Sequence, residues 1–109
     1  MNQSHEIRVI FSTAPPDKSG ILARMLVDTK MVACVNIVPV QSCYRWNGEF
    51  CYEPEHLLIA KTTLGNVNDV IATIKAHHPY KIPEIIALPV TEGHLPYMEW
   101  VYQETRDEV

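Results

Sequence analysis

Residues 7–13, IRVIFST, set Ile7, Val9 and Phe11 against Arg8, Ile10 and Ser12, a period of two that predicts a strand. The prolines at 15 and 16 punctuate it. Beyond them, Asp17 or Ser19 can cap a helix whose apolar residues Ile21, Leu22, Met25 and Leu26 share one face, predicting a helix that runs to about Lys30. The next stretch, residues 32–46, is rich in β-branched and aromatic residues and meets Asn47–Gly48, the strongest short signal for a hairpin, so a second long strand should return from Glu49 to about Thr62.

A two-residue turn at Asn47–Gly48 fixes the register. Tyr44 then faces Cys51 and Cys43 faces Tyr52, which places the two cysteines on opposite sides of the ribbon and excludes a disulfide between them. At about 3.3 Å per residue each arm approaches roughly 45 Å, more than a compact chain of this length needs for itself, so part of the hairpin should reach a partner. Pro39 and Pro54 cannot donate to a ladder and imply a bulge or an unpaired edge where the arms oppose one another.

The second half repeats the first. Asn66 caps a helix in which Val67, Val70, Ile71 and Ile74 recur at helical spacing, with His78 continuing that stripe and His77 at its edge; Pro79 stops it. Residues 85–90 form a nearly continuous apolar run, as expected of a buried strand, and Gly93 and Pro96 introduce a last helix carrying Leu95, Tyr97, Trp100 and Val101. The order is two split βαβ halves joined by a long hairpin, followed by a C-terminal helix. It predicts an α+β, ferredoxin-like antiparallel sheet with both crossover helices on one face. One short helix cannot cover the other face, so oligomerisation is the natural completion.

Composition narrows the function classes. The 109 residues read as one domain, 1–109, with 47% hydrophobic and 20% charged residues, ordinary values for a folded chain. A net charge of -4 with no Lys/Arg run argues against nucleic acid; no apolar run spans a bilayer, and the N-terminus lacks the form of a signal peptide. The expectation is a cytoplasmic protein. Cys34, Cys43 and Cys51 are odd in number and irregular in spacing, which reads as free thiols, with Cys34 buried in a central strand.

The candidate chemistry is sparse. No phosphate loop, nucleophile elbow or HExxH helix is present, so an enzyme is not expected. His77 and His78 are the sharpest metal signal, yet adjacent helical residues diverge by about 100°, whereas chelating pairs sit at i, i+4. His5, His56 and His94 are separated by whole elements and read as surface residues. Tyr44, Arg45 and Trp46, together with Lys61, Tyr80 and Glu84, supply aromatic walls and opposed charges suited to an interface or a small anionic ligand cleft, with the interface the plainer reading.

The segments ACVNIVP (33–39), CYRWNGE (43–49), LLIAKTT (57–63), HHPYKIPEIIALPVTEG (77–93) and YMEW (97–100) together resemble the CutA family of divalent-cation tolerance proteins. The resemblance runs in order over residues 7–102. It implies a ferredoxin-like fold similar to the PII signalling proteins, and a tight homotrimer in which hairpins pair between subunits. It also implies a link to tolerance of copper and other divalent ions, with Cu(II) or another divalent ion as ligand. The family's proposed metal ligands map here to His77 and His78, with Cys34 the nearby sulfur; the cysteine at the end of its first strand is Ser12 in this chain, a hard hydroxyl that suits a soft metal poorly. Trp46, Lys61, Tyr80 and Glu84 also fall in the family's segments and imply a pocket at a subunit interface. Three expectations follow: a weakly metal-binding trimer, a PII-like small-molecule sensor, and a structural trimer that serves another protein.

Overall fold

The computed structural model describes residues 6–106. Along the chain run β1 (Ile7–Ala14), α1 (Pro16–Asp28), β2 (Cys34–Trp46), β3 (Glu49–Thr63), a single 3-10 turn (Leu64–Asn66), α2 (Val67–His77), β4 (Ile85–Pro89) and α3 (Leu95–Thr105). The four strands form one antiparallel sheet in the order β2-β3-β1-β4. Consecutive strands joined through helices are therefore separated in space, as the split βαβ order requires.

Local chemistry explains where the helices start and stop. Pro15 precedes α1 in extended geometry and Pro16 opens it, where a missing N–H costs nothing; Asp17 and Ser19 lie inside the first turn and not at the cap. The end of α1 is closed by Lys30, whose φ of 62° turns the chain left-handed so that the N–H groups of Lys30 and Met31 reach the carbonyls of Val27 and Leu26. Asn66 precedes α2, but its side chain does not cap it. Its Nδ2 donates instead to the carbonyls of Met31 at 3.2 Å and Thr105 at 3.1 Å, tying three connections together. His78 leaves the helix in extended geometry, as the residue before a proline must.

The hairpin keeps the register expected of a two-residue turn along its whole length, from Trp46 opposite Glu49 to Cys34 opposite Lys61. Asn47 and Gly48 both have positive φ, 51° and 79°, the type I′ geometry that matches the twist of the arms. No bulge interrupts the ladder at the prolines. Pro39 and Pro54 sit opposite His56 and Gln41; counted in alternation from the hydrogen-bonded pair that closes the turn, both occupy non-hydrogen-bonded pairs, where a backbone nitrogen points away from the partner strand. Both of those outward edges are unpaired, since β2 ends the sheet and β1 reaches only as far as His56. Residues 40–46 and 49–55 thus project beyond the rest of the sheet and give the molecule a long dimension of 47 Å.

The core lies between the sheet and the α1/α2 layer. Ile10 and Ala60 pack there with Leu26, Val32, Val70 and Ile74, and Ala14, Leu22 and Leu58 continue it. On β1 the buried alternation is Ile10, Ser12 and Ala14, while Val9 and Phe11 on the other face are half-buried. That second face is covered only at one end, where Val101 of α3 packs on Ile7 and Ala33. Two expectations change for this reason. β2 is an edge strand, so Cys34 is half-buried and not central. β4 is likewise an edge strand, and its apolar run is largely open, with Ile86 50% and Leu88 39% exposed.

Candidate functional site

The tandem histidines diverge as their spacing requires. His77, at the last position of α2, is exposed; its Nδ1–H donates to the Thr73 carbonyl at 3.0 Å, which leaves Nε2 as an open lone pair. His78 is half-buried and fully committed. Its Nε2–H donates to the Thr13 carbonyl at 2.8 Å, and its Nδ1 accepts the backbone N–H of Tyr80 at 3.1 Å, which fixes a neutral ring with the proton on Nε2. The ring also packs against that of Tyr80, with centroids 4.7 Å apart.

Cys34 does not join them. It lies opposite Lys61, which in turn faces Val9, whereas His78 reaches Thr13, roughly 13 Å further along β1 at about 3.3 Å per residue. Ser12 is 1% exposed in the layer beneath the helices, and its Oγ has no hydrogen-bond partner among the described residues. Among the described residues no three His, Cys, Asp or Glu side chains gather as a metal-holding group. A metal held by one chain through His77, His78 and Cys34 therefore does not fit this arrangement, because one histidine has no nitrogen to give and the thiol is remote. His5 lies outside the described residues, His94 is exposed, and His56 departs from the surface expectation: it is half-buried, with Nδ1 2.7 Å from Ser19 Oγ.

The aromatic and charged residues split into two groups. Trp46 stands at the hairpin tip opposite Glu49, while Lys61 lies at the far end of the same ladder, roughly 40 Å away at about 3.3 Å per residue. Lys61 donates to Asn36 Oδ1, and Tyr97 approaches Cys34 beside it; burial lifts the Tyr97 hydroxyl above its ordinary range, with the thiol adding to the effect. Near the middle of β3, the Tyr80 hydroxyl donates to Glu55 Oε2 at 2.8 Å. Desolvation, reinforced by that bond and the carboxylate charge, pushes the phenol well above its ordinary value. Glu84 is exposed just before β4. Within one chain, then, Trp46 is separated from Lys61 by the length of the hairpin.

Sequence reasoning missed Glu55 and Asn36, and it read Asn66 only as a helix cap. Two of them were within reach of the register: with Lys61 opposite Cys34, Asn36 is its diagonal neighbour on the same face, and Glu55 shares that face two pairs short of Ile59. Asn66 gave no such signal, because its bonds join three separate connections.

The sheet order, the two crossover helices on one face and the largely open second face define a ferredoxin-like α+β protein of the PII-like kind. Comparison with known proteins carries this further: a family model described as CutA1 divalent ion tolerance protein matches residues 7–104. The chain belongs to the CutA1 family. It is 41% identical over 99 residues to the divalent-cation tolerance protein CutA of Thermus thermophilus, covering 89% of this chain and 96% of that one. It is equally identical to the chloroplastic CutA 1 of Oryza sativa over 101 residues, 91% of this chain, but spans only 57% of that longer protein. Among solved structures, CutA1 from Oryza sativa superposes with a TM-score of 0.91 at 37% identity, covering 98% of this chain and 100% of that one. The PII-like protein CutA from a Nostoc species superposes with a TM-score of 0.88 at 34% identity, covering 91% and 97%.

Proposed function

We propose that this protein works as a cytoplasmic homotrimer linked to divalent-ion tolerance, a binding protein and not an enzyme, with a weak contact to Cu(II) or another divalent ion. The observation that carries the assembly is the hairpin: residues 40–46 and 49–55 leave the sheet with aromatic side chains on both faces, Phe50 being 73% and Tyr52 64% exposed. Exposed apolar surface of this extent marks an interaction site, and further copies of the chain are the occupant proposed for it. The open face of the sheet, with Ile86, Leu88 and Val38 exposed, offers them a seat. Among the described residues no helix is long and apolar enough to cross a membrane.

For the metal, His77 supplies the one open imidazole nitrogen of the pair, and a single ligand from each chain makes for weak binding. Cu(II) titrated by calorimetry into wild type, His77→Ala and His78→Ala tests this. Loss of affinity is expected in the His77 variant and little change in the His78 variant; equal affinity in all three removes the histidines from the site. Light scattering tests the assembly, and a monomer at micromolar concentration refutes it.

A second reading, a PII-like sensor of a small molecule, draws on the separation of Trp46 from Lys61. A pocket that includes Trp46, Lys61, Tyr80 and Glu84 is composed across copies, with one chain's hairpin tip brought to another chain's sheet. A thermal-shift screen that finds stabilisers of the wild type, weakened in Lys61→Ala, supports it. The structural trimer serving another protein is separated from both by pull-down.

A further inference from the structure

The helix layer carries a groove that shares His77 with the metal reading and is otherwise used by neither. It is lined by Lys18, Ile21, Leu22 and Met25 of α1 and by residues 76–79 at the end of α2, with a volume of about 320 Å3. Three features of this groove make demands on an occupant. Ile21 is 64% exposed although its neighbour Leu22 is buried, so an apolar surface is left in water beside the groove. Lys18 is exposed, has no ion-pair partner among the described residues, and no carboxylate lines the groove, so its ammonium is available to an anion. His77 spends Nδ1–H on the Thr73 carbonyl, which leaves Nε2 as the ring nitrogen open to an occupant.

We propose that this groove binds a small carboxylic acid that carries a hydroxyl or amide N–H next to the carboxylate and an apolar side chain. The carboxylate pairs with Lys18, the donor reaches His77 Nε2, and the apolar body lies on Ile21, Leu22, Met25 and Pro79. The volume is at the lower end of ordinary ligand sites, roughly 300 Å3, which suits a side chain the size of a benzyl or isobutyl group and excludes a nucleotide. The groove is on the helix side of the sheet, opposite the face proposed to receive other copies.

The experiment is a titration of the full chain with 3-phenyllactate, followed by amide chemical shifts, with a chelator present so that no metal contributes. Saturable shifts are expected at Lys18 to Met25 and at Ala76 to His78. Lys18→Gln and His77→Phe should each weaken binding about fivefold, as for the loss of one exposed charge-assisted or neutral hydrogen bond. 3-Phenyllactamide, which lacks the negative charge, should bind as weakly to wild type as the acid does to Lys18→Gln. Shifts that are absent or centred elsewhere overturn the site. An unchanged affinity in Lys18→Gln, or equal binding of the amide, overturns the carboxylate assignment. Equal binding of 3-phenylpropanoate, which lacks the hydroxyl, overturns the role of His77.

Discussion

Replacing Ser12 by alanine should make this protein more stable. Its Oγ is buried with the residue at 1% exposure, and it has no partner among the described residues. A buried hydroxyl without a hydrogen bond costs about 1–3 kcal/mol relative to water. Deleting the oxygen leaves about 15–20 Å3, worth about 0.4 kcal/mol at roughly 24 cal/mol per Å3, and alanine's weaker strand preference subtracts a few tenths more. The net expectation for Ser12→Ala is a gain of about 1 kcal/mol, or a urea midpoint raised by about 0.5–1 M for an m-value of about 1–2 kcal/mol/M. Ser12→Cys should move in the same direction, because a thiol tolerates burial without a partner far better than a hydroxyl. Both variants must be compared with wild type at one protein concentration, since the proposed assembly would make the midpoint depend on it. A variant less stable than wild type by 1 kcal/mol or more would falsify the reasoning: the hydroxyl would then be satisfied in solution, and the strand position would not be the apolar layer it is taken for.

Tyr80→Phe removes the donor to a carboxylate that is 5% exposed, so stability at neutral pH should fall by about 1–3 kcal/mol, read by urea denaturation. The same contact has a pH signature. The Tyr80 pKa is raised above its ordinary 10.0, chiefly by desolvation and then by the bond to Glu55, so above that pH the unfolded chain loses a proton that the folded chain keeps. The stabilisation is complete below about pH 10 and declines above it, so wild type should lose stability between about pH 10 and 12 more steeply than Tyr80→Phe. An identical slope in both proteins removes Tyr80 from the effect. At the hairpin tip, Gly48→Ala forces a side chain into φ of 79° and should cost about 1–2 kcal/mol in the same denaturation assay; a neutral result would mean that the turn has changed type. Open space around Gly48 makes backbone strain, and not a clash, the cause.

The elements and their order were legible in the sequence because each rests on short-range chemistry: the period-two runs, the helical stripes, the prolines that break them, and Asn47–Gly48 with the register it imposes from Trp46–Glu49 to Cys34–Lys61. The family was legible for the same reason, since its segments lie in continuous stretches. What the sequence left open are quantities that depend on neighbours distant along the chain. Whether Pro39 and Pro54 break a ladder depends on which edge of each strand is occupied, and β1 stops at His56. Whether the run at residues 85–89 is buried depends on a layer that α3 supplies only around Ile7 and Ala33. The histidine pair shows the division most clearly: its position at a helix end was written in Pro79, but the carbonyl of Thr13 and the N–H of Tyr80 take both nitrogens of His78, and only the packing of α2 against β1 brings the Thr13 carbonyl there. Periodicity fixes which way a side chain points along its own element, and the tertiary fold decides what it meets.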